Sequence, residues 1–170
     1  PANILLPACG LAEDAKPQAA KITDFGLARA IDDGTVTQSG FLPRTPAYMA
    51  PEQASGEAVD HRADLFSIGS VLYAMCTGRP PFSASTLFAL LRRVSEEEPI
   101  PVQVLNPSLP DWLVEIMKKL HAKKPEDRFQ SAAEVADVLE QCLDHVRRPA
   151  QAPLPWFLRH LQKPPRRTRR

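Results

Sequence analysis

Lys21–Glu52, KITDFGLARAIDDGTVTQSGFLPRTPAYMAPE, is the stretch on which the reading of this chain turns. It opens on Lys21-Ile22-Thr23, which reads as a short strand running into Asp24-Phe25-Gly26. It closes on Ala50-Pro51-Glu52, with Thr45-Pro46-Ala47-Tyr48-Met49 directly before. Between them lies a polar loop, Ala30 to Gly40, in which Asp32-Asp33-Gly34 is a turn signal and Thr35, Thr37 and Ser39 are hydroxyls. The loop is too short for a calcium site and lacks the later ligands and the terminal Glu of one. Either tripeptide alone is a weak signal; the two in this order and at this spacing are specific in combination.

Outward from that stretch, the composition is that of an ordinary globular domain. The 170 residues are 44% hydrophobic and 24% charged, enough for one well-buried core. The net charge of +1 hides an asymmetry: six of the 21 Lys and Arg lie between Arg159 and Arg170, where there is no acid. The remaining 15 basic residues face 20 acidic ones, so the folded part is mildly acidic. That excludes a nucleic-acid-binding domain, whose basic patch sits on the fold itself. Cys9, Cys76 and Cys142 are odd in number and far apart, with no zinc-ligand spacing, as expected of reduced thiols in a cytoplasmic protein. No apolar run approaches the ~18 residues of a membrane span. The chain opens at Pro1, in what reads as the middle of a motif, so a piece of a longer protein is expected.

A D-F-G followed by an A-P-E belongs to the protein-kinase signature set. On these motifs the chain resembles the C-terminal lobe of a bacterial, eukaryotic-type Ser/Thr protein kinase, over about residues 1–146. The resemblance implies a mainly α large lobe with a short β-hairpin and an activation segment, and a parent that uses ATP and Mg²⁺. It makes Asn3 and Asp24 the magnesium ligands, one a neutral amide oxygen and the other an anionic carboxylate. Leu5, in the strand Ile4-Leu5-Leu6, becomes part of the apolar floor beneath the adenine, with Val71 and Met75 below it. Phe25 and Gly26 take the place that separates active from inactive states, Gly26 allowing the backbone turn. Thr45 takes the place of the threonine that bonds the catalytic Asp and Lys and shapes the acceptor pocket; both of those partners would lie upstream of Pro1. Thr35, Thr37 and Ser39 are candidate phosphorylation sites. Glu52 is expected to pair with Arg128 in a buried, structural ion pair, and Asp64 to accept backbone hydrogen bonds from the catalytic loop. One departure stands out: the family usually has Gly where this chain has Arg44.

The rest is read as scaffold. Leu65, Ile68, Val71, Leu72, Met75 and Cys76 recur at helical spacing before the stop signal Gly78. Ser85 is expected to cap a helix to about Ser95, with Leu87 and Leu90 either in the core or on a docking face. Ser108 to Asp111 reads as a capping-box variant opening a helix with Leu113, Ile116, Met117 and Leu120 inward. Ser131 to Glu134 is a full capping box, before a stripe of Val135, Val138, Leu139, Cys142 and Val146. None of His61, His121, His145 and His160 has ligand spacing. Residues 147–170 are expected to form a Pro/Arg-rich basic tail or linker. Its aromatics and arginines suggest contact with an anionic membrane surface as the second reading, and a membrane tether of the parent would lie beyond residue 170. The expected partners are a protein substrate and the parent's missing N-terminal lobe. Two functions follow: a Ser/Thr kinase, inactive as this chain alone, or a non-catalytic, pseudokinase-like docking or regulatory module.

Overall fold

The computed structural model describes residues 46–161, together with Ile4–Leu5 and Lys21–Ile22. Backbone contacts divide the chain at Leu42/Pro43 into two units. Of the first, two short strands are described: β1 (Ile4–Leu5) and β2 (Lys21–Ile22) pair antiparallel, Ile4 opposite Ile22 and Leu5 opposite Lys21.

The second unit is helical. Its elements are α1 (Pro51–Ser55), α2 (Arg62–Thr77), α3 (Leu87–Glu96), α4 (Val102–Leu105), α5 (Asp111–Leu120) and α6 (Ala132–Arg147), with 3-10 turns at Pro46–Tyr48, Pro125–Asp127 and Trp156–Leu161. The helix ends follow local chemistry. Pro51 supplies a preset φ at the first position of α1, and Gln53 Oε1 accepts the Ala50 N–H at 2.9 Å. Gly78 closes α2 at φ 75°, a left-handed conformation that a residue with a Cβ resists. Ser131 Oγ accepts the Glu134 N–H at 3.1 Å and starts α6.

Two expected caps are placed differently. Thr86, not Ser85, caps α3, accepting the Ala89 N–H at 3.2 Å. Ser108 caps nothing: its hydroxyl donates to Asn106 Oδ1 at 2.6 Å, and α5 begins at Asp111 behind Pro110. A serine three residues from an acid is a cap only if the intervening backbone turns helical, and Pro110 holds the chain extended (φ −70°, ψ 142°).

α2 is the axis of the unit, packing against α5, α4 and the Pro46–Tyr48 turn. Its buried residues are Ala63, Leu65, Phe66, Gly69, Ser70 and Tyr73, so burial runs around much of the helix. Of the expected stripe, Leu65 is buried, whereas Ile68 and Met75 are exposed, Met75 at 72%. A helix with neighbours on several sides buries residues off any single stripe. Leu65, Ile116, Leu120, Phe129, Val135, Val138 and Cys142 form the main core cluster. Ala50, Ala63, Phe66, Phe82, Leu90 and Val94 form a second beneath α1 and α3. Leu90 is therefore core and Leu87 half out; Val146, expected inward on α6, is exposed. Leu154 and Leu158 also lie in the main cluster, so this part of residues 147–170 is packed core where a tail or linker was expected.

Candidate functional site: the anchor of the A-P-E segment

The end of the decisive stretch is held by one buried ion pair. Pro51 at the first position and Glu52 at the second place the Glu52 carboxylate in the first turn of α1, where the helix dipole favours an anion. Arg128 follows the Pro125–Asp127 turn, in extended backbone. Its guanidinium meets Glu52 in a bidentate fork, Nη1 to Oε1 and Nη2 to Oε2, both at 2.7 Å. Arg128 is 2% exposed and Glu52 4%. The other three N–H groups donate to the carbonyls of Ala122 (2.8 Å), Arg62 (2.9 Å) and Lys123 (2.9 Å). All five donors of the side chain are thus used, which is what lets a cation stay in a dry interior. The Phe66 ring lies 5.1 Å from the guanidinium carbon. The sequence expectation of a buried Glu52–Arg128 pair is met by this geometry.

The anchor ties α1, the N-terminus of α2 and the 122–128 loop together. The stretch just upstream of α1 is tied to α2 as well: Ser67 Oγ donates to the Tyr48 carbonyl at 2.8 Å. Asp64 is exposed in the first turn of α2, with no side-chain partner among the described residues. Asn3, Asp24, Phe25, Gly26, Thr35, Thr37, Ser39 and Thr45 lie outside the described residues, as do the side chain of Leu5 and its expected seat on Val71 and Met75. Among the described residues no three His, Cys, Asp or Glu side chains converge as a metal site.

A second polar joint was not legible in the sequence. Ser70 Oγ and His121 Nε2 are 3.1 Å apart in the interior, with His121 packed against Phe66, Tyr73 and Phe82 at ring distances of 5.0–6.3 Å. Burial pushes the imidazole down to about 4, and the nearby cations of Lys123 and Arg128 push the same way. A hydroxyl beside a neutral imidazole is the geometry of an activated nucleophile. Here both groups are sealed from solvent, at 0% and 3% exposure, and no substrate reaches them. They form a strut between α2 and the end of α5. Gly69 makes room for it: a Cβ there would lie 2.9 Å from Leu120 Cβ and 3.1 Å from the His121 ring. The available signal was Gly69, a lone glycine in the middle of the expected helix beside Ser70, which marks a close approach.

An A-P-E glutamate clamped on a downstream arginine, at the N-terminal side of the central helix, is the arrangement that the kinase resemblance implies. Residues 1–146 match the protein kinase domain family, and the chain belongs to that family. Within it, the chain is a PknB-like portion of a bacterial Ser/Thr protein kinase domain. It is 39% identical over 156 residues to the serine/threonine-protein kinase PknB of Mycobacterium tuberculosis, covering 90% of this chain and 23% of that protein. It is 39% identical over 146 residues to the probable serine/threonine-protein kinase CE0033 of Corynebacterium efficiens (82% and 21% covered). The probable serine/threonine-protein kinase SCO3848 of Streptomyces coelicolor is also 39% identical over 146 residues (85% and 20% covered). The chain thus spans less than a quarter of the length of these relatives. No helix among the described residues is long and apolar enough to cross a membrane.

Proposed function

We propose that this chain is the large-lobe part of an enzyme that transfers the γ-phosphoryl group of Mg-ATP to Ser or Thr hydroxyls of proteins. The observation that carries the reading is the Glu52–Arg128 anchor, which fixes the C-terminal end of a D-F-G to A-P-E segment. The donor set suits the cofactor: Asn3 offers a neutral hard oxygen and Asp24 an anionic one, the pair that Mg²⁺ accepts alongside nucleotide phosphates. Bound Mg²⁺ would neutralise charge developing on the phosphates. In this reading β1 and β2 are the hairpin bearing those ligands, Leu5 lies under the adenine, Phe25 and Gly26 set the segment's state, and Thr45 shapes the acceptor pocket. Phosphorylation at Thr35, Thr37 or Ser39 would order the loop by pairing with arginine. The catalytic Asp and the nucleotide-positioning Lys are supplied by the parent's upstream chain and N-terminal lobe, and the lobe works in the cytoplasm.

Arg44, standing where the family usually has Gly, favours one alternative: a non-catalytic, pseudokinase-like docking module on the same lobe. Phosphoryl transfer from radiolabelled ATP decides between them. The 170-residue chain alone is expected to transfer nothing. A chain extended upstream by the parent's own sequence is expected to phosphorylate a Ser/Thr protein substrate with Mg²⁺ present, and Asp24→Asn to lower that rate at least a hundredfold. An extended chain that binds partners but transfers no phosphate, with Asp24 intact, sinks the enzyme reading.

A further inference from the structure

The segment after α6 folds back onto the lobe. Gln151 N and Ala152 N both donate to the Arg148 carbonyl, at 3.0 and 2.9 Å, making a reversing turn directly after the helix. His145 Nδ1 donates to the Ala152 carbonyl at 2.7 Å, which fixes the proton on that nitrogen, since a carbonyl only accepts. Pro153 and Pro155 then stiffen the path. Leu154 and Leu158 enter the core cluster that contains Leu120, Phe129 and Cys142. The Leu158 N–H is held by the Pro155 carbonyl at 2.9 Å. Phe157 stands edge-on to Phe129, with ring centres 6.0 Å apart. Lys119 Nζ lies 4.4 Å from the Phe129 ring and 5.2 Å from that of Phe157. Trp156, on the outer side, is 79% exposed.

We propose that residues 148–161 are a strap docked in cis, which forms the last layer of the core and buttresses the anchor of the A-P-E segment. The path is short. Phe157 packs on Phe129, and Phe129 is the chain neighbour of Arg128, whose guanidinium holds Glu52. The groove beside α5 and α6 is therefore filled by this chain itself, and the folded lobe runs past residue 146, where the family match stops. Cys142, wholly buried in the same cluster, reports on the strap. Burial pushes its thiol up to about 11, so it is inert while the cluster is closed.

Amide hydrogen exchange on the unmodified 170-residue chain tests the docking. The Ala152 and Leu158 amides are expected to exchange at least a hundredfold more slowly than in an unstructured peptide; exchange at peptide rates overturns the proposal. Phe157→Ala tests the buttress. It is expected to raise maleimide labelling of Cys142 at least tenfold, read by peptide mass. It should also speed exchange of the Ala54 and Glu57 amides at α1, while the Leu90 amide of α3 changes little. No change at Cys142 and α1, or a uniform rise that includes Leu90, overturns the link from strap to anchor.

Discussion

Glu52–Arg128 and Ser70–His121 are both buried and both lie against Phe66, yet one is a full ion pair and the other is neutral. The difference lies in the number of partners. Arg128 has an acceptor for each of its five N–H groups, so its charge is solvated by protein in place of water. His121 has Ser70 and three aromatic rings, and sits near the cations of Lys123 and Arg128. With no carboxylate facing it, the imidazole gives up its charge. The stronger site also shapes the weaker, because the permanent charge of Arg128 helps to keep His121 neutral. Among the described residues no buried side-chain nitrogen or oxygen lacks a partner, so both solutions are complete.

The contrast can be broken most directly at its charged end. Arg128→Ala strands the Glu52 carboxylate in the interior and strips the only described donor from the Ala122 and Lys123 loop carbonyls. A loss of about 3–5 kcal/mol is expected in urea unfolding. Glu52→Gln keeps an acceptor oxygen and should lose less; equal stability of Arg128→Ala and the parent chain would mean the anchor is not closed in solution.

At the neutral end the signature is pH. Above the unfolded-state value near 6.5, His121 is uncharged in both folded and unfolded chains and full stability is present. As pH falls below 6.5 the unfolded chain takes up a proton that the folded chain refuses until about 4. Stability should therefore fall across that window, by up to about 3 kcal/mol, and then level off with respect to this group. Asp60, held near 2 by its hydrogen bonds to Arg62, titrates below the window. Unfolding curves at several pH values from 7.5 to 4 check this, with His121→Asn expected to flatten the slope; an unchanged slope in the variant removes His121 as its source.

Gly69→Ala probes the space that the strut needs. The added methyl meets Leu120 Cβ at 2.9 Å, which outweighs the helix-propensity gain of about 1 kcal/mol. A net loss of about 1–2 kcal/mol is expected by thermal denaturation. Arg92→Ala sets the lower end of the scale. Its pair with Glu96, at 2.9 Å, has both side chains more than 60% exposed, and its removal should change stability by less than about 0.5 kcal/mol. The same Arg–carboxylate chemistry at nearly the same distance then differs severalfold in effect between interior and surface.

The legible parts of the chain were those written in local pattern. Ser131 and Glu134 open a long helix and Gly78 ends another, because each is decided within about four residues. Glu52–Arg128, 76 positions apart, was legible only through the family resemblance, which implies a downstream arginine as the partner of the A-P-E glutamate. Ser70–His121 spans 51 positions with no motif at either end, and the stripe expected on α2 missed Phe66 and Tyr73. A period of 3.6 identifies one buried face, and it fails for a helix contacted on several sides. The strap was hidden by composition: Pro153, Pro155 and the arginines read as a linker, while the two leucines that dock are too few to make a period.

The sequence by itself determined the family and the order of most helices, since these rest on residue identity and short-range spacing; the partner of Glu52 came from what the family resemblance implies. Tertiary structure alone decided which side chains lose water: that His121 stays neutral, that Gly69 lets α5 approach, and that Leu154 and Leu158 close the core. Burial depends on what arrives from distant parts of the chain, and no local pattern records those arrivals.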